Sequence, residues 1–587
     1  MPAEAITGPH VLTFNLEDYF QVAAFNKYVQ SGNWDRFESR LEHHTRRTLD
    51  LLDRHGTKAT FFILGWVAEH HPQLVREVSD RGHEIASRGY LHHNIRALTP
   101  SEFREDVAKA KAILETAGGR RVVGYRTADG WFRPGDLWAL DVLADEGYLY
   151  DSSLAPFGRR FAREPFRRLA HTHTTPHGVI WELPISSTKA LGLTLPIGGG
   201  NWVRQLPRGF MQRAARKAAG QGPLVMYFQT WELDDEQPRV TANWYTRLRH
   251  YRNLDRMEER VSEYLKSYSF VPAADWLGVP RPIVVPTPTL VETPAPGKGP
   301  TDHAIDFRNR KPVTIVIPLY NEEETLGYLG NTLARVRNAF NSKYDVRFIL
   351  VNDGSRDGTW EKAQATFANV SDVTLLQHDV NRGVAAAITT GIRAATTEIV
   401  CSMDADCTYE PVELLNMIPK LADGVDMVTA SPYHPEGTVR NVPGWRLFLS
   451  KGASMLYRRV MRNKLYTYTS CFRVYRKSAV QDVRIRSGNF LGVVELLGHL
   501  DARGSTIVEH PATLNVRVLG RSKMKTLRTI AGHLKLMARL AAGRLRRRRA
   551  HSTPERNHAL QLLMDTAATS TCHVGLESKP ADQHTGA

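Results

Sequence analysis

Short runs of apolar residues alternate with longer amphipathic stretches along most of the chain. In the first 280 residues, VLTFNL (11–16), ATFFILG (59–65), EIASRG (84–89), VVGYRT (122–127) and LVMYFQT (224–230) read as buried strands. Between them, Arg36–His55, Trp66–Arg81, Pro100–Ala117 and Pro134–Glu146 carry the spacing of helices. This alternation predicts an α/β unit built on a parallel sheet, and a length of roughly 275 residues suits a barrel. After residue 312 the pattern restarts with VTIVIPLY, VRFILVNDGS, VTLLQH and EIVCSMDAD separated by helical stretches. That half reads as an open, doubly wound sheet, whose functional residues belong where its strands end.

Between the halves, residues 280–312 hold eight of the 31 prolines and no usable periodicity, which predicts an extended linker between two independent domains. The expected units are 1–279, a linker 280–311, a second domain 312–525, a basic amphipathic helix 526–549 and a disordered tail 550–587. Composition is globular, with 42% hydrophobic and 24% charged residues. The net charge of +16 is concentrated, since residues 520–550 contain eleven Lys or Arg and no acid. Leu527, Ile530, Leu534, Met537, Ala541 and Leu545 recur there at helical spacing, and RRRR (546–549) follows. Three readings of this stretch stay open: a helix lying in an anionic membrane interface, a helix packed on its own domain, and a nucleic-acid patch, which no accompanying motif supports. Four cysteines without a CxxC spacing predict neither a disulfide framework nor a zinc ribbon. The first residues carry no basic segment followed by an apolar one, and no window has the ~18 uninterrupted apolar residues of a membrane span. The expected location is cytoplasmic, with peripheral contact at the inner face of the membrane.

The N-terminal segments FNLEDYFQVAAF, TFFILGWVAEHHPQLVREVSDRGHEIASRGYLHH, GYRTADGWF, LDVLADEGYLYDSSL, GGGNWVRQLP and YFQTWELDDEQPR together resemble the NodB-like polysaccharide deacetylases, in particular the exopolysaccharide-associated branch. The resemblance covers residues 11–277 and implies a distorted (β/α) barrel that hydrolyses N-acetyl groups with a divalent metal, a carboxylate base and a histidine acid. Mapped onto this chain, the base position is Asn15 and the acid position is Gln229, neither of which transfers a proton at neutral pH. The first metal-binding histidine is Arg88, a permanent cation. Asp18, His92, Arg126 and Asp151 remain. Each proton-transfer role is typically worth about 10²–10⁴ in rate, so their joint loss predicts a degenerate deacetylase site that lacks its zinc-type metal. The alternative is hydrolysis by substituted groups, with Glu17, His93 and the HTHTTPH stretch (His171, His173, His177) as candidates. That stretch otherwise reads as a polar surface loop.

The C-terminal half carries PLYNEEETL, VNDGSRDGT and SMDADCTYEP in that order, each at a strand end. With HDVNRGVAAAITTGI, ASPYHPEGTVR, TSCFRVYRKSAV and GRSKMK it resembles the family 2 glycosyltransferases, and within them the dolichyl-phosphate-mannose-synthase-like enzymes, over about residues 312–540. The implied fold is the GT-A nucleotide-sugar-binding domain. Two Asp at i, i+2 beyond a strand can offer hard oxygens to Mg²⁺ or Mn²⁺, so Asp404 and Asp406 are the expected metal ligands and catalytic pair. Pro318, Tyr320, Glu322, Asp353 and Asn381 are the expected donor-binding residues. Arg521 and Lys523 are expected to neutralise the diphosphate. Arg440, Arg446 and Arg473 are expected to grip the acceptor, and Glu495 is available as a base for a hydroxyl acceptor. Because no Asp follows Glu495, the favoured acceptor is a polyprenyl phosphate, which is already an anion.

The reading is a glycosyltransferase moving a sugar from a nucleotide-sugar donor to polyprenyl phosphate or a lipid-linked glycan, in cell-envelope or exopolysaccharide synthesis. It is fused to a degenerate deacetylase-like domain, and no nucleic-acid partner is expected. Two alternatives stay open: a bifunctional enzyme that also deacetylates the glycan, and a non-catalytic carbohydrate-binding scaffold.

Overall fold

The computed structural model describes residues 8–156, 161, 163–190, 193–283, 310–442, 444–520 and 531–542. Most of the proline-rich segment, Arg521, Lys523, the RRRR run and the expected disordered tail lie outside the described residues.

In the N-terminal half the strands Val225–Gln229, His10–Leu16, Thr60–Ile63, Glu84–Ser87, Gly124–Tyr125, Tyr150–Asp151 and Gly178–Glu182 lie side by side and parallel. All seven residues of His10–Leu16 are buried, as a central strand of a parallel sheet requires. The sheet curls, and its two ends meet without a regular ladder. Ser186 N–H bonds the Val225 carbonyl at 3.1 Å and Tyr227 N–H bonds the Gly198 carbonyl at 2.5 Å. This is the distorted barrel expected from the sequence.

The helices differ in detail from expectation. Trp66–Arg81 is two helices, Gly65–His70 and Pro72–Asp80, because Pro72 has no N–H to continue the first. Pro100–Gly118 forms as read, closed at its start by reciprocal Thr99 and Glu102 hydrogen bonds. The segment read as a histidine-bearing loop is instead a strand, His171–Thr175, paired antiparallel with Gly178–Glu182.

In the C-terminal half, Val373–Gln377, Tyr344–Asn352, Lys311–Leu319 and Ile399–Ser402 are parallel, and Arg473–Arg476, Met427–Ser431 and Ile507–Pro511 extend the sheet. Arg473–Arg476 runs antiparallel to both of its neighbours. Leu326–Phe340, Val384–Ala394 and Phe490–Arg503 are its main helices. The helical residues 531–542 pack on this half. His533, Leu536 and Met537 are buried, with His533 Nδ1 2.8 Å from the Tyr457 hydroxyl. Leu536 and Met537 face this domain while Leu534 is 54% exposed, so the described part of the stretch packs on its own half along one side.

The halves are not independent, contrary to expectation. Arg36, 2% exposed, leaves the barrel domain to pair with Glu410 and to donate to the Tyr328 hydroxyl at 3.4 Å. Phe37 packs edge-on against the Tyr328 ring at 5.1 Å. Asn331 Nδ2 donates to the carbonyls of Arg36 and Phe37. On the other flank Val240 and Leu519 form an antiparallel bridge. Thr241 adds an N–H bond to Val518 O at 2.6 Å and a hydroxyl bond to Gly520 O at 2.9 Å.

A buried guanidinium bound to a charged partner contributes about 1.5–3 kcal/mol, reduced here because Glu410 is 36% exposed. Arg36→Met is expected to lower stability by about 1–2 kcal/mol, read as a lower urea midpoint for both halves. An unchanged midpoint would show that the contact does not stabilise the interface.

Candidate functional site

Four strand-end loops of the C-terminal half enclose a cavity of about 290 Å³. It gathers Pro318, Tyr320, Glu322, Asp353, Asn381, Asp404 and Asp406, seven residues singled out from the sequence. The loops are tied to one another. Asn321, at φ +50, donates its N–H to Ser355 Oγ and accepts from Arg356 N–H, joining the YNEE and NDGS turns. Asp353 accepts from Arg382 N–H at 2.9 Å, Gly383 N–H at 2.7 Å and His378 Nδ1 at 2.8 Å, so its carboxylate shapes the next loop. Gly383 sits at φ +95, and a Cβ there would lie 2.5 Å from the Gly488 carbonyl, so only glycine fits.

Asp404 and Asp406 leave the strand Ile399–Ser402 on a turn whose Cys407 adopts a left-handed φ of +51. Burial, then the Asp406 charge, pushes the Asp404 carboxyl well above the ordinary range; burial raises Asp406 too, against the opposing charge of Arg517. Two crowded, buried carboxylates are a hard-oxygen donor set that a divalent cation relieves, so the residues fit Mg²⁺ or Mn²⁺. The sequence reading missed Arg517. Its Nε lies 3.0 Å from Asp406 Oδ2 and its Nη2 2.5 Å from Glu322. The available signal was an arginine three residues ahead of GRSK, in a segment leaving the last strand.

Other expected residues stand elsewhere. Glu495 is buried outside the cavity and accepts from Ser487 N–H at 2.9 Å, capping a turn. Arg473 is fully buried and donates to the carbonyls of Val493 and Tyr468, so its charge holds the protein together and cannot reach an acceptor. Arg440 is exposed and also lies outside the cavity. Arg446 lies in the helix Gly444–Val460, with its side chain outside the described residues.

A second cavity, of about 440 Å³, opens at the mouth of the barrel, where the strands end. Asn15, Arg88, His92, Arg126 and Gln229 line it. Asn15 accepts from Arg126 Nη1 at 3.2 Å and lies 3.4 Å from Gln229 Oε1. Neighbours in the sequence part company here. Glu17 enters the cavity, 3.4 Å from Arg88 and 3.5 Å from His92. Asp18 turns away, accepting from Tyr19 N–H, Ser39 Oγ and Arg40 N–H. Asp151 also lies outside the cavity, bonded to Ser153 and set against Glu182. Burial raises both of those carboxyls, Glu182 further through the Asp151 charge. His93 and His177 pair with Asp106 and Asp145, and His171 and His173 lie on an outer strand. Among the described residues no three metal-binding side chains converge. A deacetylase metal does not fit, because a guanidinium occupies the ligand position and the remaining family aspartate is turned away.

Residues 314–484 match the glycosyl transferase family 2 profile, 33–140 the polysaccharide deacetylase profile, and 152–278 a domain of unknown function, DUF3473. Three relatives are similar to this chain in sequence. The dolichol-phosphate mannosyltransferase of Pyrococcus furiosus is 32% identical over 231 residues, 39% of this chain; the match spans only 63% of that protein. The polyprenol monophosphomannose synthase of Mycolicibacterium smegmatis is 30% identical over 39% of this chain and 86% of its own length. The undecaprenyl-phosphate mannosyltransferase of Micrococcus luteus is 31% identical over 36% and 87%. Among solved structures, glucosyl-3-phosphoglycerate synthase from Mycobacterium tuberculosis overlaps at a TM-score of 0.31, with 17% identity over 40% of this chain and 79% of its own. BA3943 from Bacillus anthracis, described as a CE4 family pseudoenzyme, overlaps at 0.26, with 16% identity over 47% and 66%. The order of the loops, the paired carboxylates at a strand end and these identities have one outcome: the chain belongs to glycosyl transferase family 2, with a polysaccharide-deacetylase-type domain ahead of the transferase.

Proposed function

We propose that the C-terminal site transfers a sugar, mannose by analogy with the named relatives, from a nucleotide-sugar donor to a polyprenyl phosphate or lipid-linked glycan. The carrying observation is the single cavity in which Asp404 and Asp406 meet the donor-binding loops. Bound there, Mg²⁺ or Mn²⁺ would supply charge neutralisation to the departing diphosphate. Asp353 keeps the Asn381–Gly383 loop against the donor by taking its backbone N–H groups. Arg517 steadies Glu322 and Asp406 and stands ready as a cation beside the diphosphate.

The carboxylates lining the cavity are Glu322, Asp353, Asp404 and Asp406, and each is committed to Arg517, to backbone donors or to the metal position. A hydroxyl acceptor needs a free base, whereas a phosphate monoester arrives already anionic. The placement of Glu495 outside the cavity supports the second. Arg521 and Lys523 remain proposed diphosphate contacts, and Arg446 a proposed acceptor contact.

The acceptor's lipid tail requires a membrane surface. No helix among the described residues is long and apolar enough to cross one. The helix Gly444–Val460 instead exposes Phe448 (78%), Met455 (62%) and Leu456, with Lys451 and Arg459 also exposed. A mixed apolar and basic face of this kind suits an anionic interface, and we place the protein at the cytoplasmic face of the membrane by this helix. The barrel domain is proposed to hold glycan without hydrolysing it.

Metal-dependent transfer of label from nucleotide sugars to undecaprenyl phosphate by the full chain is the direct test. Asp404→Ala is expected to lower turnover about 10²-fold or more, while Glu495→Gln, whose amide still accepts from Ser487, stays within about threefold. Turnover surviving Asp404→Ala would remove the assignment and leave a binding scaffold. Burying a phenylalanine is worth about 1.5–3 kcal/mol, so Phe448→Asp is expected to weaken co-sedimentation with anionic vesicles by about tenfold or more. The barrel domain is expected to release no acetate from chito-oligosaccharides and to hold no stoichiometric zinc by elemental analysis. Acetate production would make the protein bifunctional.

A further inference from the structure

The barrel-mouth cavity carries buried cations of its own. Arg88 is 3% exposed, and its Nη2 donates to the Ala128 carbonyl at 2.7 Å. Its Nε and Nη1, both buried, have no hydrogen-bond partner among the described residues. A guanidinium carries one N–H on Nε and two on Nη1, so three donors stand idle in the wall of a cavity. Leaving buried donors unmatched is costly, and charged donors most of all.

Charge leads to the same place. Arg126 lines the same cavity, fully buried, with its guanidinium 4.0 Å from the Phe62 ring. Its nitrogens donate to Ser152, Thr13 and Asn15, all neutral groups, and no carboxylate reaches it within ion-pair distance among the described residues. Burial, then the like charge of Arg88, works against the Arg126 charge. Glu17 offsets one of the two cations and no more. Burial alone would raise its carboxyl, yet the charges of Arg88 and His92 hold it below the ordinary value, so it is ionised. Six arginines line the cavity against three carboxylates, Glu17, Asp129 and Glu232; Arg204 is already paired with Glu232 at 2.9 Å and Arg96 with Asp136 at 3.0 Å, which leaves Arg126, Arg133 and Arg249 facing Asp129.

Shape and lining add the second half. The volume of about 440 Å³ falls in the roughly 300–1,000 Å³ usual for small-ligand sites. Trp131, Tyr227 and Tyr245 border it, offering flat apolar faces beside the charged wall.

We propose that this cavity binds a saccharide bearing an anionic group, a carboxylate or a phosphate. The idle Arg88 donors take the anion, the Arg126 charge in the same wall adds to the attraction, and the three aromatic residues border the sugar ring. The proposal rests on reading the barrel domain as a glycan-binding domain that does not hydrolyse, and it specifies the ligand. A neutral N-acetylated sugar would leave the cation excess of the wall unanswered. An anionic sugar removes it.

The test uses the full chain and calorimetry with four probes: tetragalacturonate, its methyl ester, glucose 6-phosphate and inorganic phosphate. At least one of the two anionic sugars is expected to bind, and the tighter of them identifies the anion as carboxylate or phosphate. The uncharged ester is expected to bind about tenfold more weakly than the acid where the carboxylate is the anion. Arg88→Met is expected to erase that preference. Arg249→Gln, at the exposed rim of the same cavity, is expected to weaken it severalfold without endangering folding, which keeps the test decisive if the buried variant fails to fold. Equal binding of ester and acid, with glucose 6-phosphate no tighter, would overturn the anionic specificity while leaving a sugar-binding domain in place. Inorganic phosphate binding as tightly as either sugar would show a bare anion site and overturn the saccharide. Binding of none of the four would overturn the proposal outright. Acetate release would instead overturn the underlying reading that the domain does not hydrolyse.

Discussion

The segment Arg517–Gly520 is asked to do two things at once, and the arrangement of the molecule follows from that. Arg517 puts its guanidinium between Asp406 and Glu322, two carboxylates that line the same cavity. The next three residues form the edge on which Val240 and Thr241 of the barrel domain close. The ion pair and the backbone bonds share one short piece of chain, so neither can shift without the other. With Arg36 gripping Glu410 on the opposite flank, the barrel domain borders the transferase loop that leads to the metal position.

Both cavities are organised by the cost of burying charge. In the transferase site the surplus is negative: Asp404 and Asp406 are pushed towards protonation by burial, Asp404 also by its neighbour, and a hard divalent cation is what that donor set asks for. In the barrel the surplus is positive. Arg88 stands where the family places a histidine ligand, and Glu17 enters the cavity while Asp18 serves the backbone of Tyr19 and Arg40. One chain therefore holds a site built to take a cation and another that has brought a cation of its own.

Much of this was readable beforehand. The strand runs and their order were plain because continuous apolar segments have few other uses in an α/β protein. Tyr320, Asp353, Asn381, Asp404 and Asp406 were locatable because strand ends in an open sheet converge on one edge. Direction was harder to read. The sequence does not reveal that the Arg473 donors are spent on Val493 and Tyr468 or that Glu495 caps Ser487. Glu17 and Asp18 lie just past the strand His10–Leu16, where no regular periodicity tells which side chain enters the cavity. The proline-rich spacer suggested independence, but composition does not reveal that Arg36 is buried against a partner 374 residues away.

By itself the sequence determined the two α/β units, their order and the strand-end loops that line the transferase cavity. These depend on residue type and local periodicity, which are properties of the chain. Only the tertiary structure decided which charges face each other: Arg517 with Asp406 and Glu322, Arg36 with Glu410, and Arg88 with Glu17 in front of Arg126. Electrostatic partners are chosen by distance and burial in space, and neither is written in the spacing of residues along the chain.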